Sequence, residues 1–583
     1  MKLSGGAIVV RALADEGIRL AFGIPGTHNI ELYDAFADSD LVRPVLVTDE
    51  QSAGFMADGL WRASGQLGCV NIVPGAGLTH ALSGIAEAFM DGVPMLVLGC
   101  GIRRHTTHAF QLHDVDQLAI AAPVVKATFR PERGADLYPV LREACALARS
   151  GTPGPVMVEV SIDLYLTKHE VDPATWTAPP AAAVPSATRE QVARAAAMLS
   201  SHGVKPLLYA GLGAQGATAE LLALAERLEA PVATTIQGKG VFPESHPLFL
   251  WNGFGAAAPP FARKVAGERN VTLAIGCRFS EVGTGSYGFT PPGPLIHVDI
   301  NETVLNRNFP AELGIAADAR SFLVELLNEL SGQYSVRRTV PTDPELRKDI
   351  REGHDAVRRE WLEQRSDARV TPFVLLDTLQ KEFGPDTVFT ADSGNGTFLA
   401  MECLRLPQPG RLLAPVDYSC MGYAVPAAIG AGLGMPGTPV VALAGDGAFL
   451  MTGLELLTAA NQHVPVAVFV LRDRELAQIA QFQSTAFHRT VASTLPDYHL
   501  GSLAEALGVE WLPLDSDGEV AEVVRAARAT LQAGRPVVVD VAIDYTNKTW
   551  FTRGVVKTML SRLPWPERIR FVGRAIGRKL LGS

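Results

Sequence analysis

The sequence predicts an α/β protein made of three doubly wound parallel-sheet domains followed by a basic tail. Three observations carry that expectation. Short apolar runs rich in β-branched residues alternate with helix-length segments, the pattern of parallel strands buried on both faces. Two stretches of linker character, Val171 to Thr188 and Ser331 to Pro344, cut the chain into blocks of similar size. At 583 residues the chain is too long for a single hydrophobic core.

Taken in order, the first block (1–170) offers the strands RPVLVT, GCVNIVP, PMLVLG and PVMVEVS. The second (189–332) offers KPLLYAG, APVATT, VTLAIG and LIHVDI, and the third (365–548) offers DTVFTA, PVVALAG, VPVAVFVL and RPVVVDVAI. Residues 549–583 form the tail. From Trp550 to Ser583 it holds eight Lys/Arg and one Glu, a charge of +7 against −10 for the whole chain. Two readings of the tail stand side by side. It is an interfacial helix drawn to anionic lipid, giving peripheral membrane contact, or it folds over the protein's own acidic surface.

A net charge of −10 excludes nucleic acid as the main partner. The six cysteines, Cys69, Cys100, Cys145, Cys277, Cys403 and Cys420, form no CxxC pair and read as buried free thiols of a reducing compartment. The N-terminus reads as helical, with charges interrupting its apolar residues rather than as a signal peptide, and no apolar run approaches the length of a bilayer span. The expected location is the cytoplasm.

The chemistry concentrates in GDGAFLMTGLELLTAANQHVPVAVFVLRD, Gly445 to Asp473. PVVALA reads as a buried strand, AFLMTGLELLTAANQH as a helix, and VPVAVFVL as the next parallel strand, ending at Leu471. A right-handed βαβ unit brings Asp446 and Asp473, 27 positions apart, to the same carboxyl edge of the sheet. That edge is where open α/β sheets bind ligands. Two carboxylates there suit Mg²⁺, whose remaining positions go to phosphate oxygens and water. The free amides of Gly447, Ala448 and Phe449 at the helix start suit a phosphate. A bare GDG is also an ordinary tight turn with a solvated helix start; the second aspartate weighs toward the metal–diphosphate anchor without deciding it alone.

This segment resembles the thiamine diphosphate motif of the acetolactate synthase and pyruvate decarboxylase superfamily. The family ends the motif with Asn-Asn, whereas this chain has Arg472-Asp473. The resemblance implies three doubly wound domains that bind the pyrimidine, occupy the centre and bind the diphosphate. It implies Asp446 and Asp473 as side-chain ligands of Mg²⁺ and Glu475 as a carbonyl ligand. It implies further contacts from Pro74 and Gly75 in a GPG-type loop, from Ser393, Gly394 and Asn395 to the diphosphate, and from the Ser419 carbonyl to the aminopyrimidine, with Met421 as the wedge that bends the cofactor. Glu50, in VLVTDEQSAGFMADG, corresponds to the glutamate that promotes the reactive tautomer. The small residues Ala53, Gly54 and Ala57 behind it imply a close backbone approach, as in a dimer that shares the cofactor.

The substrate-facing candidates are His28 and Gln111 as catalytic groups, with Phe110, Lys126, Gln478 and Phe482 as substrate contacts; His113 reads as exposed. His28 can shuttle a proton or simply bond to backbone at a helix start. The family's middle-domain arginine is replaced by Val282, its tryptophan by Phe482 and an apolar methionine by Gln478, which leaves a decarboxylase or a carboligase with a different acyl acceptor equally open beside a standard acetolactate synthase. The turn FGIPGTHNIELYDA is also similar to decarboxylases of 2-oxo acids derived from basic amino acids. YAGLGAQGA and TTIQGKGVFPESHP resemble loops that line FAD in acetolactate synthases, but members without FAD keep similar loops, and the expectation leans against FAD. The resemblance implies a homodimer or homotetramer with active sites at the dimer interface. The expected function is decarboxylation of a 2-oxo acid with carboligation to a second carbonyl. The alternatives are a non-ligating decarboxylase, a membrane-associated pyruvate-oxidase-like flavoenzyme and a non-catalytic cofactor-binding paralogue.

Overall fold

A computed structural model describes residues 1–332, 341–364, 366 and 368–581. It contains three six-stranded sheets, each wholly parallel. The first orders its strands Arg43–Leu46, Leu20–Gly23, Cys69–Ile72, Met95–Gly101, Pro155–Ser161, Thr128–Phe129. The second runs Phe249–Asn252, Val232–Thr234, Pro206–Ala210, Val271–Ile275, Leu295–Asp299, Leu313–Ala316. The third runs Leu412–Leu413, Val388–Ala391, Val440–Gly445, Ala467–Arg472, Val537–Ala542, Glu510–Leu514. The central strands are buried along nearly their whole length, because helices cover both faces. The linker expected at Ser331 to Pro344 lies in part outside the described residues.

The first and third sheets are held together by two helices, Glu50–Ser64 and Ala424–Gly434. Their crossing is too tight for side chains. A Cβ on Gly59 would stand 2.2 Å from the Ala427 carbonyl oxygen, and one on Gly430 would stand 2.0 Å from that of Met56. Neither can move without separating the helices, so alanine at either position costs about 1–3 kcal/mol or more. The small residues behind Glu50 serve packing between helices of one chain. Gly54 meets Gly84, and Ala57 lies against Gly68.

The helix expected after GDG is broken. Asp446–Thr452 is helical, Gly453–Glu455 forms a 3₁₀ turn, and Leu456–Asn461 resumes. The break lets Glu455 turn toward the N-terminal domain, where its Oε1 accepts the Thr48 N–H (2.9 Å), the Thr48 hydroxyl (2.7 Å) and the Asp49 N–H (3.2 Å). Those bonds fix the residues just before Glu50 against the third sheet.

The tail folds over the chain. The Phe551 ring stacks on Phe398 at 3.8 Å, and the N–H of Trp550 donates to buried Glu402 at 2.7 Å. Arg562 donates to the Ser286 carbonyl at 2.9 Å. The helix Trp565–Leu581 packs on Ala477–Phe487. No helix of the described residues is long and apolar enough to cross a membrane.

Candidate active site

The carboxyl edge of the third sheet carries the anchor. Gly445 pairs with Leu471 in the ladder, which places Asp446 and Asp473 just beyond two adjacent strand ends. Asp446 is buried and accepts the N–H groups of Gly447 and Arg474, each at 2.8 Å. Arg474 adopts φ 65° to make that bond, a conformation an L-residue holds only where its surroundings impose it. Asp473 accepts the Glu475 N–H at 3.2 Å, and burial followed by repulsion from Asp446 pushes its carboxyl up to about 7. Glu475 bridges Thr494 through hydrogen bonds of the neighbouring Arg474 carbonyl and Leu476 N–H, which leave the Glu475 carbonyl out of that ladder.

These residues form a cavity of about 110 Å³ with Ser393, Gly394, Asn395, Met421, Ala448, Gln478 and Tyr545 in its wall. Two helices begin there, Asn395–Cys403 and Asp446–Thr452; the Gly447 amide is taken by Asp446, and the other first-turn amides have no intrahelical acceptor. Gly394 sits at φ 116°, and the Gln478 amide oxygen would lie 3.8 Å from a Cβ placed on it. A Cβ on Gly447 would stand 2.6 Å from Leu476, and the Met421 methyl lies 3.6 Å from the same point. The Phe449 ring is buried in the core, so Phe449 offers only its backbone at the helix start.

The residues fit a divalent cation bound with a diphosphate. The carboxylates of buried Asp446 and half-buried Asp473 repel one another across the rim, and a divalent cation would relieve that repulsion. Among the described residues no group of three or more His, Cys, Asp or Glu is disposed to hold a metal by itself, so a cation here would need further oxygen ligands such as those of a diphosphate. Sequence reasoning missed Asp392. Fully buried, it accepts the N–H groups of Ser393, Gly422 and Ala424 at 2.9 Å each, and burial pushes it up to about 6. It is an acid just past a buried strand, the same signal that revealed Asp446. The Ser393 and Ser419 hydroxyls meet at 2.8 Å, and Ser419 sits at φ 64°.

The second group of candidates lies on the N-terminal domain. Glu50 opens the helix Glu50–Ser64 and is 8% exposed, with Asp49 as N-cap. Its Oε2 meets Nδ1 of His80 at 3.3 Å, a contact the sequence did not show. Gly75, at φ 63° beside buried Pro74, caps the helix carrying His80 and leaves room for His113. The His113 ring lies edge-on to His28 at 5.3 Å, so His113 is part of this group rather than merely exposed. Burial, then the nearby His113 and Arg103, lower the His28 imidazole below its ordinary value. Phe110 is 99% exposed, and the Gln111 amide donates to the Arg103 carbonyl at 2.9 Å.

Lys126 is a correction. Its ammonium donates to the Leu147 and Ser150 carbonyls, each at 2.6 Å, at the end of the helix Gly134–Arg149. It caps that helix, so both bonds it makes are to backbone. Val282 packs against the middle-domain core, and Phe482 lies half-buried one turn beyond Gln478. No N-terminal residue lines the 110 Å³ cavity, so Glu50 and Asp446 do not share it within one chain.

A second cavity of about 270 Å³ lies where the first and middle domains meet, walled by Gly211, Gly213, Thr235, Gln237, Asp299 and Arg278 among others. These include parts of both loops that resemble flavin-lining segments. The two arginines in its wall are already paired, Arg278 with Asp417 at 2.7 Å and Arg62 with Asp58 and Asp91. FAD is not indicated.

The thiamine pyrophosphate enzyme N-terminal TPP binding domain matches residues 3–120, the central domain of the same enzymes matches 192–326, and the C-terminal TPP binding domain matches 392–541. An acetolactate synthase large subunit of Mycobacterium tuberculosis is 32% identical over 571 residues, covering 94% of this chain and 89% of its own. The large subunit of acetolactate synthase isozyme 3 from Escherichia coli is 31% identical, with 93% and 95% covered. That of Corynebacterium glutamicum is 32% identical, with 94% and 88% covered. The chain belongs to the thiamine pyrophosphate enzyme family, in its acetolactate synthase-like branch.

Proposed function

We propose that the protein is a thiamine diphosphate- and Mg²⁺-dependent carboligase that decarboxylates a 2-oxo acid and joins the remaining acyl carbon to a second carbonyl compound. The observation that carries this reading is the pairing of Asp446 and Asp473 beneath two helix N-termini in the wall of one cavity. When bound, the cofactor supplies the electron sink that lets the bond between the 2-oxo carbon and the carboxylate break. The chain's residues do the rest. Asp446, Asp473 and the Glu475 carbonyl hold the cation, and Ser393, Gly394 and Asn395 take the diphosphate. Glu50, shielded from water, holds and moves a proton at its carboxylate toward the pyrimidine ring. Gln478 offers an amide to a polar substrate. His28 offers an imidazole whose basicity is lowered by burial first and by His113 and Arg103 second.

Two copies complete the site in this reading. Phe110, Leu112 and Val115 stand exposed near the Glu50 group, and Leu450, Met451, Leu454 and Leu457 stand exposed beside the anchor. Such apolar surface favours burial against a partner. A homodimer, or a tetramer of two, would bring the Glu50 face of one copy over the cavity of another. Six free cysteines, five of them buried, support a cytoplasmic setting. Replacement of the family's arginine by Val282 removes a bidentate clamp for a second carboxylate. The acceptor is therefore a longer or more polar 2-oxo acid, or an aldehyde, in preference to pyruvate. A CO₂-release screen over a 2-oxo acid panel, with product identification and with cofactor or Mg²⁺ omitted in turn, tests the reading. Turnover that needs neither additive, in protein shown to be free of both, would overturn it.

A further inference from the structure

The helix Ala76–Asp91 begins beside Glu50 and ends against the C-terminal domain. Near that end Glu87 is fully buried, and its Oε2 accepts the backbone N–H of Cys420 at 2.9 Å. One turn earlier the Ser83 carbonyl accepts the Cys420 thiol at 3.5 Å. On the opposite side Asp392 accepts the N–H groups of Gly422 and Ala424. The segment that aims Met421 into the cavity is thus gripped from two domains at once, with its first residue, Ser419, at φ 64°. A positive φ at a serine persists only where neighbours over-determine it.

The surroundings fix the charge state of Glu87. Asp58 and Asp91 share the one guanidinium of Arg62, at 2.7 and 2.9 Å. Asp91 also accepts the N–H groups of Val416 and Asp417 and the amide of Gln237. Tyr423 donates to Asp58. The other titratable neighbours, the Cys420 thiol and Asp392, bring no positive charge. Among the described residues no cation remains for a third acid, and Oε1 of Glu87 has no hydrogen-bond partner. An ionised oxygen buried in that state is more costly than the neutral acid, which accepts the Cys420 amide and leaves one uncharged O–H without a partner.

We infer that Glu87 is a positioning residue for the cofactor: a neutral carboxylic acid that holds the Ser419–Gly422 segment, and with it Met421, from across the domain interface. The inference rests on the reading of Met421 as a cofactor contact. Burial, then repulsion from Asp91, pushes the Glu87 carboxyl up to about 9. It loses its proton only in alkali, and a charge formed there strains the grip.

The test is calorimetric binding of thiamine diphosphate with Mg²⁺ to wild type, Glu87→Gln, Glu87→Ala and Met421→Ala, at neutral pH and above pH 9. Glu87→Gln keeps the acceptor and the neutrality, so its affinity stays near wild type at neutral pH. Wild type weakens in alkali as Glu87 ionises, and Glu87→Gln escapes that share of the weakening. Glu87→Ala loses about tenfold in affinity, the effect of one buried hydrogen bond. The inference is overturned if Glu87→Gln falls as far as Glu87→Ala, or if wild type and Glu87→Gln weaken identically in alkali. Met421→Ala separates two failures. Normal affinity in that variant refutes the wedge reading itself. Loss there with normal affinity in Glu87→Ala refutes only the role of Glu87.

Discussion

Replacing Asp473 by Asn should make the cofactor-free protein more stable while weakening its hold on Mg²⁺. The reason is the unneutralised pair at the rim. In the folded chain the Asp473 carboxyl is pushed from 3.8 up to about 7, by burial first and by Asp446 second. Its folded value is raised, so stability is fullest below the ordinary carboxyl value and is lost as pH rises toward about 7. The shift of about three units corresponds to at most about 4 kcal/mol at 1.36 kcal/mol per unit. Partial exposure and coupling to Asp446 reduce the measurable part to about 1–2 kcal/mol. For a domain of this size that is roughly 3–6 °C in melting temperature. The assay is thermal unfolding of wild type and Asp473→Asn at pH 5 and pH 8, with and without Mg²⁺ plus thiamine diphosphate. Without ligands the variant gains most at pH 8 and less than half as much at pH 5, since only part of the span from 3.8 to about 7 has been crossed there. With ligands the wild type gains more, because its carboxylate meets the cation. A variant no more stable than wild type at pH 8 without ligands would refute the argument.

Three further outcomes follow from the same geometry. Glu50→Gln binds thiamine diphosphate but loses most C2–H exchange, read by deuterium incorporation; exchange at the wild-type rate removes Glu50 from the mechanism. Lys126→Met destabilises by about 1–2 kcal/mol, since two carbonyls at a helix end lose their donor, with KM unchanged. A raised KM at unchanged stability would restore Lys126 to the substrate site. Val282→Arg raises acetolactate formation from pyruvate, measured against the best acceptor of the panel; no change in that ratio counts against the clamp argument.

Much of this was legible because its signals are local. Continuous apolar runs gave the central strands, and an acid placed immediately past a strand gave Asp446, Asp473 and, by the same logic, should have given Asp392. The strands that went unread are mostly at sheet edges: Thr128–Phe129, Phe249–Asn252, Leu313–Ala316, Leu412–Leu413 and Glu510–Leu514. An edge strand needs burial on one side only, so it can be short or, as in EWLPL, contain proline. The interior strand Leu20–Gly23 was hidden by the helical periodicity that precedes it. Lys126 shows a different limit: its sequence neighbours said nothing about the carbonyls of Leu147 and Ser150 that claim it. Glu87, His80 and Cys420 matter through contacts between segments far apart in sequence. No window of residues could have placed them together.

The central claim is that Glu50 and the Asp446–Asp473 anchor act on one cofactor, each supplied by a different copy of the chain. Complementation tests it directly. Glu50→Gln and Asp446→Ala, each inactive alone, are dissociated, mixed in equal amounts and allowed to reassociate, and CO₂ release is measured on the best 2-oxo acid. The account predicts recovery of about a quarter of wild-type activity, because half of the dimers are hybrids and each hybrid holds one intact site. Hybrids demonstrated by differential tagging, yet no more active than the two variants kept apart, would contradict it.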